Sequence, residues 1–164
     1  MIAANSMEHW EDYSTVRLSI KTGDLYYTTG KNLYDRVIHL VSDSDISHVG
    51  VFIWVGDRLF TIECVPRGCI MMLASERLRN ASVIIQTTGL VPDMDIALDS
   101  VGKIEYDWVG VLLSPFYRLK RTKEYCVEFI ESIFSIQIGP VDRNVYPSDC
   151  YEYFEERKNK STLA

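Results

Sequence analysis

A cysteine, a histidine and a glutamate in this chain have the residue types and the settings of an activated cysteine nucleophile. Cys126 begins an amphipathic segment of helical periodicity, and His48 and Glu63 lie in two consecutive segments of strand periodicity. A thiol at a helix N-terminus is readily ionised, and an imidazole beside it can take its proton while a carboxylate orients the ring. The pattern predicts Cys126 as the nucleophile, His48 as the general base and Glu63 as the residue that orients His48.

Two strands joined by a tight turn are expected to bring His48 and Glu63 together. Residues 48–55 and 58–65 both have the period of a β-strand, and a two-residue Gly-Asp turn separates them. If the two residues on either side of the turn are paired with each other, His48 and Glu63 are diagonal neighbours on one face, with Cα atoms about 7–8 Å apart. The other face then collects an apolar core surface: Val49, Val51, Ile53, Val55, Phe60 and Ile62. A slip of one residue would disrupt the pair and this surface together.

The rest of the chain mixes strand and helix patterns. Further strands are expected at residues 25–28, 69–72 and 83–87, and helices at 33–41, 75–79, 92–103 and 147–158. The helix that begins at Cys126 is expected to be closed by Gly139-Pro140.

These elements predict an α+β fold in a single domain. We expect an antiparallel sheet, curled into a small barrel, with the Cys126 helix packed so that its thiol meets the face of His48 and Glu63. The domain is predicted over residues 21–158, with an N-terminal arm at 1–20 and a frayed tail at 159–164.

The composition is that of a folded globular domain. The chain has 164 residues, 47% hydrophobic and 24% charged, so it can bury a core without metal or disulfide staples. Its net charge of -6 argues against nucleic acid as a partner, since phosphate binding needs clustered Lys and Arg. No apolar stretch reaches the roughly 20 residues of a membrane span, and no signal peptide is recognised. A cytoplasmic location with reduced thiols is therefore expected.

The four cysteines match neither a disulfide framework nor a zinc pattern. Cys64 and Cys69 have no second pair at ligand spacing, so they are interpreted as small apolar residues in strands. No metal and no cofactor is predicted for the site.

Residues that precede Cys126 could assist the chemistry. Backbone N–H groups at the start of the helix and the Tyr125 hydroxyl could stabilise an oxyanion, although the Tyr125 ring could equally pack in the interior. Trp108, Phe116 and Tyr117 could line an acyl-binding groove or belong to the core. The basic run at 118–123 is either a solvated loop or a source of positive potential near the thiol.

Short motifs in a fixed order resemble those of a known family. The run Ser47-His48-Val49-Gly50 resembles a strand of the circularly permuted papain-fold hydrolases of the NlpC superfamily, in the YiiX-like branch. Glu63 matches the third member of that family's triad. Further matches are Gly23-Asp24, Tyr106-Asp107 followed by Tyr125-Cys126-Val127-Glu128, and Pro147-Ser148-Asp149. The matches extend over most of the chain, and their order makes the set specific.

The resemblance implies a permuted papain-like fold, and the permutation accounts for a histidine that precedes the cysteine. It implies hydrolysis of an amide or ester bond through an acyl-enzyme at Cys126, His48 and Glu63, without a cofactor. The implied substrates are cell-wall peptides or lipid-linked acyl groups. A wall substrate would require another export route, such as a phage tail or lysis system. Val127 departs from the family pattern, which usually has Ser at this position.

Two other functions fit the same residues. An acyltransferase would form the same acyl-enzyme and pass the acyl group to an amine or alcohol. A binding module on a retired hydrolase fold would retain a ligand without turnover, and the departure at Val127 points in that direction. The sequence predicts no oligomeric state.

Overall fold

The computed structural model describes residues 5–7, 11–29, 42–65, 68–79, 83–102, 126–140 and 145–162. Its strands are β1 (Asn5–Met7), β2 (Leu25–Thr28), β3 (His48–Val55), β4 (Arg58–Val65), β5 (Gly68–Leu73) and β6 (Val83–Gln86). Its α-helices are α1 (Glu11–Val16), α2 (Ala74–Arg77), α3 (Met94–Ser100), α4 (Cys126–Phe134) and α5 (Pro147–Thr162). A 3-10 turn at Arg17–Ser19 follows α1. The helix predicted at 33–41 lies outside the described residues.

The six strands form one antiparallel sheet in the order β1-β6-β2-β3-β4-β5. The predicted α+β class and the antiparallel sheet are confirmed. The order ends at β1 and β5, so the strands of the described part of the chain form an open sheet rather than a closed barrel.

The β3–β4 hairpin has the predicted register. Val55 pairs with Arg58 across the turn, and the ladder continues to Val51 opposite Ile62. Gly56 occupies the left-handed region at φ 61°, which glycine adopts without the steric cost that a Cβ brings. The tight turn leaves no freedom for a slip, and the side chains of the two strands alternate between faces as their sequence predicts.

The two faces of the sheet bury separate apolar clusters. One cluster contains the predicted core residues Val49, Val51, Ile53 and Ile62, with Phe60 packed against it. The prediction for Val55 is wrong: this side chain is 46% exposed, because it lies beside the turn, where the core ends. The opposite face buries a smaller cluster: Ile20, Tyr26, Phe52, Leu59, Ala74, Leu78 and Val83.

Helix α4 packs on the face of Val49 and Val51 rather than on the face predicted for it. Phe129, Ile130 and Ile133 of α4 are buried in the same cluster as these strand residues. By strand alternation, the side chains of Gly50, Phe52 and Glu63 belong to the opposite face. The predicted placement of the helix on the His48 and Glu63 face is therefore corrected, because its apolar stripe covers the larger apolar surface of the sheet.

Several boundaries differ from the predicted ones. β1 pairs with β6 at the edge of the sheet, within the segment predicted as an N-terminal arm. α3 begins only after Asp93, whose side chain accepts hydrogen bonds from two backbone N–H groups of its first turn. α4 ends at Phe134, before Ser135 adopts a left-handed conformation at φ 50°. α5 continues to Thr162, four residues beyond the predicted end.

Cys64 and Cys69 are joined by a disulfide, which corrects their interpretation as unpaired apolar residues. They are register partners in the β4–β5 ladder, with Cα atoms 3.9 Å apart. Spacing alone did not reveal the pair, because the contact depends on the pairing of the two strands rather than on a cysteine motif.

Replacement of Gly50 by alanine should lower the free energy of unfolding by about 1–3 kcal/mol. A Cβ at Gly50 would lie 2.6 Å from atoms of the Tyr26 ring, which is closer than such atoms pack without a shift. Urea denaturation of Gly50→Ala and the wild type measures the difference. Val55→Ala is the control and should stay within about 0.5 kcal/mol because Val55 is exposed. An unchanged transition in Gly50→Ala would show that Tyr26 moves aside without cost.

Candidate active site

His48 and Glu63 form the predicted contact in the interior of the protein. Nε2 of His48 lies 2.6 Å from Oε2 of Glu63. Both residues are buried, with 6% and 1% of their surfaces exposed. The contact follows from the hairpin register: Val51 pairs with Ile62, so Glu63 lies opposite Gly50, two residues along β3 from His48. A hydrogen bond this short between an imidazole and a carboxylate fixes the orientation of the ring.

Cys126 is the first residue of α4 and is buried, and its thiol is within hydrogen-bonding reach of the His48 ring. Phe129, Ile130 and Ile133 pack α4 against β3 and β4. Because Nε2 of His48 is engaged by Glu63, Nδ1 is the ring nitrogen left for the thiol. The structure thus brings the three predicted residues into one chain of contacts.

His48 has a pKa raised from its ordinary 6.5 to about 9. Burial by itself would lower this pKa, since desolvation disfavours the charged imidazolium. Hydrogen bonding to Cys126 and to Glu63, together with the negative charge that both partners can carry, outweighs burial. The site therefore favours a protonated His48, the form that accompanies a thiolate and later gives a proton to a leaving group.

Glu63 has a pKa lowered from its ordinary 4.5 to about 2. Burial would raise this pKa, but the hydrogen bond to His48 and the positive charges of His48 and Arg77 outweigh the desolvation. Glu63 is therefore ionised across the whole neutral range and can balance the charge of the imidazolium.

Arg77 is the site neighbour that sequence reasoning missed. Its Nε donates to Oε1 of Glu63, the carboxylate oxygen that His48 leaves free. Arg77 is the last residue of α2, which lies in the segment predicted to be helical. No motif marks it, because only the folded chain brings the end of α2 over β4.

Tyr26 and Gly50 complete the surroundings of the carboxylate. The Tyr26 ring covers Gly50 at contact distance, and the Arg77 guanidinium lies 5.6 Å from the ring centroid. Burial and the negative charge of Glu63 raise the pKa of Tyr26, so its hydroxyl stays protonated beside the carboxylate.

Val127 and Cys150 are explained by packing. Val127 is fully buried in the core cluster that holds α4 on the sheet, so an apolar residue suits the position where the resembling family has Ser. Cys150 is the other free thiol, and burial raises its pKa well above the ordinary value. Its Sγ lies 3.6 Å from the Tyr27 hydroxyl, with no basic side chain among the causes of its shift. Cys150 therefore lacks the basic neighbour that Cys126 has in His48.

The predicted supporting residues Tyr125, Trp108, Phe116 and Tyr117, and the basic run at 118–123, lie outside the described residues. Within the described ranges, no group of three or more His, Cys, Asp or Glu side chains is arranged to hold a metal ion. No helix in the described part of the chain is long and apolar enough to cross a membrane.

The stability of the protein should depend on pH through the His48–Glu63 pair. A raised pKa at His48 stabilises the fold below pH 6.5, and this contribution is lost as the pH rises through about 9. A lowered pKa at Glu63 stabilises the fold above pH 4.5, and this contribution is lost as the pH falls towards 2. The pair should contribute most between pH 4.5 and 6.5.

Urea denaturation between pH 3 and 9 (roughly the stable range of most domains) tests this expectation on the wild type and Glu63→Gln. The variant should lose about 3 kcal/mol at mid-range pH, because Arg77 and His48 lose a buried partner. Its free energy of unfolding should change less with pH on the acid side. If the free energies of the two proteins change with pH in parallel, the His48–Glu63 pair is not the source of the pH dependence.

Comparison with known proteins finds similarity to a solved structure. No family model matches the chain, and no curated protein is similar to it in sequence. Among solved structures, it is similar to the metalloprotein YiiX (DUF1105) of Escherichia coli O157:H7, with a TM-score of 0.57 and 16% identity. The match covers 74% of this chain and 70% of that one. At this identity the likeness concerns the fold alone: the chain has an α+β fold similar to that of YiiX.

Proposed function

We propose that this protein is a cysteine hydrolase with a circularly permuted papain-like fold of the NlpC type. It would cleave an amide or ester bond through an acyl-enzyme. The observation that carries the proposal is the chain of contacts from the Cys126 thiol through His48 to the Glu63 carboxylate. Three groups of these types, buried together with opposed charges, have the roles of nucleophile, acid–base and orienting residue.

The proposed reaction begins from the ion pair of a Cys126 thiolate and a protonated His48, in which the imidazole already holds the thiol proton. The thiolate attacks the carbonyl carbon of the substrate, and a C–S bond forms while the carbonyl π pair moves to oxygen. Backbone N–H groups at the start of α4 are suitable donors to that oxyanion, since the first turn of a helix leaves such groups free. The oxyanion collapses, the bond to the leaving group breaks, and His48 protonates the departing amine or alcohol.

The second half-reaction releases the acyl group. His48, now neutral, takes a proton from water, and the hydroxide attacks the thioester carbon. The C–S bond then breaks, the carboxylic acid departs, and the Cys126 thiolate is regenerated beside the protonated His48. Glu63 stays ionised throughout and stabilises each imidazolium that forms.

Fold and packing both support the proposal. The likeness to the fold of YiiX agrees with the motif resemblance, which includes the order of histidine before cysteine. The burial of Val127 in the core gives that position a packing role, so its departure from the family pattern does not argue for a retired site. Cell-wall peptides and lipid-linked acyl groups are the substrate classes that the resemblance suggests.

Cys126 should be alkylated by iodoacetamide at mildly acidic pH, because His48 can hold the thiol proton. The proton acceptor is His48, so His48→Asn should slow the reaction at pH 6 by about tenfold or more. Peptide mass spectrometry of protein treated between about pH 5 and 9 gives the rate at each cysteine.

Cys150 is the internal control of this experiment, because burial raises its pKa and it should remain unmodified in the folded protein. Unfolding in urea should make both thiols equally reactive. A Cys126 that titrates like a free thiol and ignores His48→Asn would remove the basis of the proposed catalysis.

Incubation with a p-nitrophenyl acyl ester should add one acyl group to Cys126, detected as an increase in intact mass. Loss of the general base in His48→Asn should slow acylation by about 10²-fold or more. Added amines compete with water for the acyl group if the enzyme is a transferase, and product analysis separates the two outcomes. Absence of any adduct on native Cys126 with peptide and ester substrates would favour a binding module.

A further inference from the structure

The Glu63 carboxylate is shared between two basic side chains that come from different elements. His48 of β3 contacts Oε2, and Nε of Arg77 from α2 donates to Oε1. Each oxygen therefore has its own cationic partner. A carboxylate with one partner can rotate about its last bond, whereas a carboxylate held at both oxygens has its plane fixed.

Arg77 also differs from Glu63 in its exposure to solvent. The Glu63 side chain is 1% exposed and the Arg77 side chain 23% exposed. The guanidinium thus neutralises the buried charge while keeping part of its own hydration, which lowers the cost of burying the ion pair. Burial would lower the pKa of Arg77, but its interactions with Tyr26 and Glu63 raise that pKa, so the guanidinium is permanently protonated.

The position of Arg77 is itself fixed by packing. Ala74 at the start of α2 and Leu78 just after its end are buried in the cluster on the Glu63 side of the sheet. The guanidinium lies over the Tyr26 ring, where a cation is attracted to the aromatic face. Tyr26 in turn occupies the space that the missing side chain of Gly50 leaves open. Arg77 is therefore held from two directions.

We propose that Arg77 is a positioning residue of the site, which holds the Glu63 carboxylate in the orientation that directs it at His48. This inference rests on the proposed function, since it gives Arg77 an effect on the reactivity of Cys126. Among the described residues, Arg77 binds Glu63 and lies over the Tyr26 ring, and it makes no hydrogen bond to His48 or to the thiol. Its influence passes through Glu63.

The proposal has a consequence for the pH dependence of the site. The groups that face Glu63 are Tyr26 from β2, His48 from β3 and Arg77 from α2, and Cys126 of α4 interacts with it through His48. Arg77 is one of the two positive charges that lower the pKa of Glu63. Without it, Glu63 should take up a proton at a higher pH, and His48 would then lose its partner under mildly acidic conditions.

The test compares Arg77→Gln, Arg77→Lys and the wild type by the rate of Cys126 alkylation from about pH 4 to 9. Arg77→Gln should react about tenfold more slowly at pH 7, the lower end of the effect of losing an orienting partner. As the pH is lowered, its rate should begin to fall at a higher pH than the wild-type rate does. Arg77→Lys should return this fall to the wild-type pH because it restores the charge, while its rate at pH 7 (about the neutral point) stays lower without the fixed guanidinium plane.

Arg79→Gln is the matched control, because it removes an exposed arginine two residues along the chain. If Arg77→Gln folds and reacts with the rate and pH profile of the wild type, Arg77 has only a structural role and the proposal is overturned. If Arg77→Gln does not fold, Arg77→Lys decides: a wild-type rate with a wild-type profile overturns the fixed-plane argument. NMR titration of the His48 ring in Arg77→Lys provides the second readout. Ring chemical shifts and a titration curve equal to those of the wild type would also overturn the fixed-plane argument.

His48→Asn in the same series separates this inference from the proposed function. If the alkylation rate of Cys126 changes in His48→Asn but not in the Arg77 variants, only the inference about Arg77 is rejected. If the rate changes in neither, the proposed function is rejected as well.

Discussion

A buried carboxylate that needs two cations is the constraint on which the site depends. Glu63 is almost completely removed from water, and an isolated charge there would be neutralised by protonation. The hydrogen bond to His48 and the charges of His48 and Arg77 reverse that tendency and lower its pKa. Each partner comes from a different element, so β3, β4 and α2 must assemble correctly before Glu63 can remain ionised. Local electrostatics and tertiary structure are therefore inseparable at this position.

The same constraint explains Gly50 and Tyr26, which have no direct part in the proposed chemistry. Gly50 has no side chain, and the Tyr26 ring occupies the space above it. The ring supports the guanidinium of Arg77, which then reaches the carboxylate. A glycine in the middle of a strand costs conformational entropy, but here only a residue without a side chain allows the close approach of the aromatic ring.

The hairpin could be predicted from the sequence because its determinants are local. A period of two and a two-residue turn define the register, and the register defines the His48–Glu63 contact. The face on which α4 packs could not be predicted in the same way. Helical periodicity identifies the apolar stripe of α4 but not which of two apolar sheet surfaces it covers. Phe52 and Tyr26 make the second face apolar as well, although its buried cluster is the smaller one.

Arg77 and the Cys64–Cys69 disulfide escaped prediction for a related reason. The two cysteines meet because β4 and β5 pair, and Arg77 reaches Glu63 because a four-residue helix ends above β4. Each contact depends on how one hairpin continues into the next element, and neither leaves a periodic trace in the sequence. The residue types that do the chemistry were recognisable, whereas the residue that holds them in place was not.

The location of His48 at the beginning of β3 links the two halves of the site. The apolar cluster under α4 determines where the thiol lies, and the opposite face of the sheet carries Glu63 and Arg77. The side chain of a residue in the middle of β3 could contact groups on only one of these faces, because the sheet separates them. The first residue of the strand lies where the sheet ends, so its ring can contact both sides. The nucleophile and its acid–base partner are thus stabilised by different cores, and His48 is the residue through which the two become one site.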